Sequence, residues 1–302
     1  MIDAAALQRD FRRYEQIIYP LISSISPFVA QAEDAMTVQV ERGIILPSLL
    51  ARQWGGDAVA PIQRLIDLSR FAGMKEITVV DRGGHHRAIY RPLLIYAWLQ
   101  AYRLAYETMP PEVFGQWEEG LRPWCDLLEN RLGEIDWPAE GFAAPDGATA
   151  AEAAWIALAL HVAGKVFVRD AWTDLAGDVF GKVARGQTSS GAFLRATPAD
   201  SIETQGYDEL VLLHAAASYA VQAADRSLSL VVAKNAEFHL HQLQPDHATM
   251  QPWAVFAFIW QPTARPLADQ MLHAASVQQS AGSSEISSIL LADALYCLRL
   301  FL

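Results

Sequence analysis

The chain has 302 residues, of which 52% are hydrophobic and 19% charged, and its formal net charge at pH 7 is −11. A chain of this length and apolar content can form a sizeable core, which excludes general disorder. The 23 Lys and Arg against 34 Asp and Glu argue against a nucleic-acid partner, because binding to phosphates needs clustered cations.

The cysteines, the apolar runs and the first residues together indicate where in the cell the protein is located. Cys125 and Cys297 lie far apart in apolar helical patterns, so we expect two buried free thiols. No apolar run approaches the roughly 18 residues that span a bilayer, so no membrane partner is expected. Charged residues precede the first long apolar run, which is unlike a secretory signal. The sequence therefore predicts a cytoplasmic protein.

The first 84 residues are irregular. Apolar residues recur every three or four positions from Ala4 to Ile25, which predicts an amphipathic helix. Residues 37–46 fit a short strand or a poor helix, 57–71 are helical in texture, and 77–81 are β-branched and extended. We predict that residues 1–84 form an irregular helical cap or the first, less regular hairpins.

From residue 85 to 302 we predict one continuous domain of helix hairpins. The predicted helices span 86–108, 112–132, 148–164, 167–185, 207–224, 226–242, 247–260, 263–279 and 284–301. Most are separated by short joints with Gly, Pro, Asp or Ser, which is typical of antiparallel hairpins. The exception is 185–206, a long segment without helical periodicity, which fits a lid or a binding loop.

Acidic residues stand at the starts of alternate predicted helices: Asp146, Asp208, Asp246 and Glu285, spaced 62, 38 and 39 residues apart. The last two spacings indicate a hairpin repeat of about 40 residues. The predicted helices 207–224 and 247–260 are apolar nearly all round, whereas their neighbours are amphipathic. This alternation favours a ring of helices, because the inner helices of a ring are apolar nearly all round and the outer helices are amphipathic. We therefore predict an all-α fold of antiparallel helix hairpins forming an α/α toroid or partial toroid, rather than an open solenoid.

Residues 187–193 read Gln-Thr-Ser-Ser-Gly-Ala-Phe. This segment resembles the QxxxGxW motif of the squalene cyclase and prenyltransferase-like α/α toroids, with Phe193 in place of tryptophan. The resemblance implies that Gln187 caps helix ends and that Gly191 lets the aromatic ring fold under the turn. The acid clusters of those cyclases, DxDD and DDxxD, do not occur in this sequence. The resemblance therefore does not extend to terpenoid chemistry.

A toroid gathers the N-termini of its inner helices at one end of a cavity, and helix N-termini favour anions. We predict four catalytic residues at that end: Tyr207, Asp208, Asp246 and His247. The carboxylates suit a general acid and base, and a Tyr–His pair could take a proton beside a uronic acid carboxyl. The predicted substrate-binding residues are His86 and Arg87 for an anionic group, Gln251, and Trp155 and Trp253 as flat faces for a sugar ring.

Simpler roles compete with these. An aspartate at a helix start can be a cap alone, and His214 fits a core histidine. His239 and His241 point to different helix faces, so no zinc site is expected. The leading interpretation is a cofactor-free hydrolase, lyase or epimerase acting on a small carbohydrate or uronic-acid-like substrate, similar in fold to the carbohydrate-active six-hairpin toroids. The alternatives are a non-catalytic helical-repeat scaffold that binds a peptide or protein partner, and an isoprenoid-binding toroid that lacks the acid motif.

Overall fold

The computed structural model describes residues 4–23, 88–105, 111–136, 147–195, 201–242, 245–280 and 285–301. Within these ranges the chain forms α-helices, turns and one short 3-10 helix, Pro262–Ala264, and contains no β-strand. The strand or extended predictions at 37–46 and 77–81, and the helical texture at 57–71, lie outside the described residues.

The described ranges contain eleven α-helices. In chain order they are α1 (Ala4–Ser23), α2 (Tyr90–Ala105), α3 (Pro111–Glu134), α4 (Gly147–Val166), α5 (Asp170–Gly186), α6 (Ile202–Gln222), α7 (Arg226–His239), α8 (Pro245–Ala248), α9 (Val255–Trp260), α10 (Arg265–Ser280) and α11 (Glu285–Arg299). Every helix predicted beyond residue 85 has a counterpart, and the all-α prediction is confirmed. Most boundaries differ from the prediction by a few residues, and two larger differences have an identifiable local reason.

Helix α6 begins at Ile202, five residues before its predicted start. The side chain of Ser201 caps it by accepting a hydrogen bond from the Thr204 N–H at 3.2 Å, and serine is among the strongest N-caps. Asp208 therefore lies in the second turn, and the prediction that it starts a helix is wrong. The apolar stripe begins only at Tyr207, which is why the periodicity placed the start too late.

The helix predicted over 247–260 is two helices, α8 and α9, separated by residues 249–254. Pro252 lies in this gap. A proline lacks the N–H that a continuing helix needs and disfavours helical geometry in the residue before it. Ala254 then takes a left-handed conformation, with φ 58°, immediately before α9 begins.

The chain divides into two compact units. One comprises Met1–Ile25, Trp137–Ala154 and Phe180–Leu302, and the other comprises Ser26–Asp136 and Trp155–Val179. In the first unit α6 packs against α7, α8, α9 and α11, while α1 packs against α10 and α11. In the second unit α2 packs against α3. The predicted boundary between residues 84 and 85 stays a prediction.

No segment was expected to be apolar enough to span a bilayer. Helix α4 contradicts this expectation, because its 20 residues are long and apolar enough to do so by length and composition. All residues from Ala150 to Gly164 are buried, and 83% of the most apolar window of α4 lies inside the protein. Burial in a protein core accounts for such a composition as well as a membrane does.

Candidate functional site

Tyr207, Asp208 and Glu209 are three consecutive buried residues of α6. Successive residues of an α-helix are turned by about 100°, so their side chains leave the helix in three directions. The Tyr207 ring lies edge-on to the Trp253 ring, with centroids 6.1 Å apart and an interplanar angle of 79°. Asp208 meets the start of α4, and Glu209 faces the loop that follows α5.

The Asp208 side chain lies against Gly147, the first residue of α4. A Cβ atom added at Gly147 would stand 2.8 Å from Asp208 Oδ2. A helix N-terminus carries unpaired N–H groups and a partial positive charge, so it favours an ionised carboxylate. Only 7% of Asp208 is exposed. The sequence thus identified a buried acid at a helix start, although the helix is α4 rather than its own.

The other predicted polar residues are only partly described. Asp246 and His247 belong to α8, which packs against α6, but their side chains lie outside the described part of the chain. His86 and Arg87 lie outside it entirely. Gln251 is half-buried, and its Oε1 atom has no hydrogen-bond partner among the described residues. The roles of these five residues stay predictions.

The two predicted sugar platforms are fully buried. The Trp155 ring lies edge-on to Tyr96, with centroids 5.7 Å apart. The Trp253 ring lies edge-on to both Tyr207 and His214, at 6.1 Å and 5.7 Å. Neither indole presents an exposed face in this structure. Stacking of a sugar on either ring would require a movement of the chain, and that role stays a prediction.

A buried polar network adjoins Trp253. The Ala254 N–H donates to His214 Nδ1 at 3.1 Å, so the ring proton is on Nε2, which lies 3.0 Å from Asp293 Oδ2. The Ser218 hydroxyl donates to the same carboxylate oxygen. A catalytic triad needs the histidine between serine and acid, whereas here the acid lies between them. The network therefore stabilises the fold and fixes the turn before α9.

Both cysteines are buried and free, as expected. Burial raises the pKa of Cys125 to about 12 and the pKa of Cys297 well above its usual value. A nucleophilic cysteine needs an accessible thiolate. Neither residue therefore suits nucleophilic catalysis. Among the described residues, no group of three or more His, Cys, Asp or Glu is arranged to hold a metal ion.

The loop after α5 is tied to α7 through its glycine. Gln187 Nε2 donates to the carbonyl oxygens of Gly191, at 3.0 Å, and Val231, at 2.8 Å. Asn235 Nδ2 donates to the same Gly191 oxygen at 2.9 Å. Phe193 is buried below the turn, with 1% exposed. The positive φ of Gly191 and the burial of Phe193 agree with the roles that the QxxxGxW resemblance implied for the glycine and the aromatic ring. The two bonds of Gln187 do not cap a helix end, because Gly191 lies in the loop and Val231 lies inside α7.

Glu209 anchors the same loop. The sequence placed Glu209 among the polar residues at the cavity end but did not predict this contact. Its carboxylate accepts hydrogen bonds from the Leu194 N–H at 2.6 Å, the Phe193 N–H at 3.2 Å and Asn235 Nδ2 at 3.0 Å. Burial raises the pKa of Glu209 to about 7, although these three donors favour the charged form. Because its oxygens are engaged by the loop, Glu209 has a structural role.

This pKa predicts that Glu209 makes a contribution to stability that is lost as the pH rises from 5 to 8. Folded Glu209 keeps its proton to about pH 7, whereas the unfolded side chain loses it near its ordinary pKa of 4.5. Between these values the folded state binds more protons, so the free energy of unfolding decreases as the pH rises. The expected contribution of Glu209 is about 3 kcal/mol. Urea denaturation of the wild-type protein and a Glu209→Gln variant at a series of pH values measures it as a difference. The difference is needed because burial lowers the pKa of His239 to about 4, and this residue therefore makes stability rise with pH below about 6.5.

The Glu209→Gln variant has no ionisable group at this position and is expected to lose most of that pH dependence. Glu203→Gln is the matched control, because Glu203 is an exposed residue in the first turn of the same helix, and it should retain the dependence. A wild-type stability that rises from pH 5 to pH 8, with Glu209→Gln removing the rise, would contradict the raised pKa.

A cavity of about 490 Å³ lies between this loop, the start of α6 and the end of α7. Glu209, Phe238 and His239 line it, whereas Tyr207 and Asp208 are not among the lining residues. The sequence pointed to His239 only as a possible metal ligand, because a histidine in a helical segment does not indicate a cavity.

Comparisons with known proteins bear on the fold. No family model and no curated protein matches the sequence. The chain is similar to a solved structure, the GH76A α-1,6-mannanase from Salegentibacter sp. HEL1_6, with a TM-score of 0.51, 14% sequence identity, and coverage of 98% of this chain and 100% of that chain. That structure is an α/α toroid. The likeness shows the fold alone, and it confirms the predicted class of helix hairpins of the α/α-toroid type.

Proposed function

We propose that this protein is a carbohydrate-active enzyme of the glycoside hydrolase type and that Asp208 is one of its catalytic carboxylates. One observation carries the proposal. The Asp208 side chain is buried on the N-terminus of α4, while Ser201 caps the helix to which Asp208 belongs. The likeness in fold to an α-1,6-mannanase supports it.

The position of Asp208 suits the chemistry. Burial of a carboxylate is costly unless something compensates for the loss of water. The N-terminus of α4 provides such compensation and favours the ionised form, which a nucleophile or general base requires. Glycosidases use a second carboxyl group roughly 5–9.5 Å from the first. We assign this role to Asp246, because α8 packs against α6.

The other predicted site residues have proposed roles in the same reaction. In this proposal Tyr207 and His247 assist proton transfer, and Gln251 binds a substrate hydroxyl. His86 and Arg87 orient an anionic group, which makes a uronic acid the second substrate class to test. The first substrate to test is α-1,6-mannan, because the structurally similar enzyme is an α-1,6-mannanase.

The test compares purified wild-type protein with the Asp208→Asn variant. An amide can act neither as nucleophile nor as general base, so kcat/KM is expected to fall by at least about 100-fold. The free energy of unfolding is expected to change by less than about 1 kcal/mol, because the amide has nearly the same shape. Release of reducing ends from α-1,6-mannan and from a uronic-acid polysaccharide measures activity, and urea denaturation measures stability.

Asp178→Asn is the matched control, since Asp178 is exposed on α5, and it should keep full activity. Asp246→Asn should lose activity as Asp208→Asn does. Equal activity of Asp208→Asn and the wild-type protein would reject Asp208 as a catalytic carboxylate. If the wild-type protein cleaves neither polysaccharide, the hydrolase proposal fails for both substrate classes.

A further inference from the structure

The cavity beside Glu209 has the size of a small-molecule site. Its volume of about 490 Å³ falls within the roughly 300–1,000 Å³ that such sites occupy. Three elements of one compact unit enclose it: the loop after α5, the start of α6 and the end of α7. The contacts of Gln187, Asn235 and Glu209 hold the loop in place, so the walls are preorganised.

Among the residues that line the cavity, His239 gives the clearest indication of a ligand. It is 4% exposed, and its Nε2 atom has no hydrogen-bond partner among the described residues. Edge-on contacts with Phe238 and Phe258, at 5.4 Å and 5.9 Å between centroids, fix the ring. Burial lowers the pKa of His239 to about 4, so the ring is uncharged at neutral pH and carries one donor and one acceptor.

The other walls combine an aromatic ring with groups that both donate and accept hydrogen bonds. Phe238 supplies the ring, and the amides of Gln205 and Gln242 supply the polar groups. Glu209 and Arg195 line the same cavity. Glu209 keeps its proton to about pH 7. Arg195 is exposed, so solvent and salt screen its charge, and the cavity does not select strongly for an ion. Mixed donors and acceptors beside an aromatic ring suit a polyhydroxylated molecule.

We propose that this cavity binds a small neutral sugar, with hydroxyl groups held by His239, Gln205 and Gln242 and the sugar ring packed against Phe238. This site is separate from the proposed catalytic carboxylate, because Asp208 does not line it. The proposal therefore goes beyond the proposed function and does not depend on it.

Binding of mannose, glucose, galactose and glucuronate to the full chain can be measured by titration calorimetry and by saturation-transfer NMR. We expect wild-type protein to bind at least one of the neutral hexoses more tightly than glucuronate. His239→Phe keeps the aromatic packing and removes both ring nitrogens, so it should weaken binding at least 10-fold. Gln242→Ala, at an exposed lining position, should weaken it several-fold and provides a second test if His239→Phe fails to fold.

His241→Phe is the matched control, because His241 is exposed and is not among the lining residues, and it should bind as the wild-type protein does. Asp208→Asn should also leave this binding unchanged. The proposal is overturned if no neutral hexose binds, if glucuronate binds more tightly, or if the His239 and Gln242 variants bind normally. Binding that is lost only in Asp208→Asn would assign the sugar to the proposed catalytic site instead.

Discussion

Replacement of Asp293 by alanine is expected to lower the free energy of unfolding by about 3–5 kcal/mol. The Oδ2 atom of Asp293 accepts hydrogen bonds from His214 Nε2 and the Ser218 hydroxyl, and all three residues are buried. Each buried donor that loses its acceptor costs about 1–3 kcal/mol, and the missing carboxyl group leaves a cavity. Urea denaturation at pH 7 measures the change.

Asp293→Asn is a sharp control because both hydrogen bonds go to the same oxygen. An asparagine that places its carbonyl oxygen at the Oδ2 position keeps both bonds, so it should cost clearly less than alanine. Equal loss in the two variants would show that the negative charge, rather than the shared acceptor, stabilises the network. A loss below about 1 kcal/mol for alanine would contradict the structural role argued for the network.

Gly191→Ala is expected to cost about 3 kcal/mol or more, since it combines backbone strain with a steric clash. Gly191 has φ 101°, a region that side chains other than glycine rarely adopt. An added Cβ atom would stand 2.8 Å from the Lys234 carbonyl oxygen and 3.3 Å from Phe238 Cβ. The loop would have to move, which would weaken the bonds that Gln187 and Asn235 donate to the Gly191 oxygen.

Gly115→Ala is the matched control, because Gly115 lies inside α3 and a Cβ atom there meets nothing within 4 Å. Alanine at that position should raise stability by roughly 0.5–1 kcal/mol, as in an exposed helix interior. Thermal and urea denaturation should show a lower free energy of unfolding for Gly191→Ala and a higher one for Gly115→Ala. A Gly191→Ala protein as stable as the wild-type would mean that the loop tolerates a different backbone path.

The helices were predictable because the signals that specify them are local. A stripe of apolar residues with a 3.6-residue period needs no knowledge of the rest of the chain. The errors were local too. Ser201 caps α6 six residues before the apolar stripe begins at Tyr207, so the stripe does not indicate the cap. Pro252 breaks the helix inside an apolar run that otherwise reads as continuous.

The candidate site was only partly predictable. Asp208 was selected as the start of an inner helix, but the structure places it on the N-terminus of α4. Glu209, the next residue, was expected only as one of the polar residues at the cavity end, and nothing in the sequence predicted that it would meet Asn235 and hold the loop. Asp293 was not considered at all, because its partners His214 and Ser218 lie 79 and 75 residues away.

The amino-acid pattern was enough to establish the all-α class and the helix hairpins, because both follow from periodicity and from short joints. The tertiary structure assigned the individual roles of the polar residues. Those roles depend on pairs distant in sequence, such as Gly147 with Asp208 and Gly191 with Asn235. A buried polar group is stabilised by the partner that it meets in the folded chain, and the local sequence does not specify that partner.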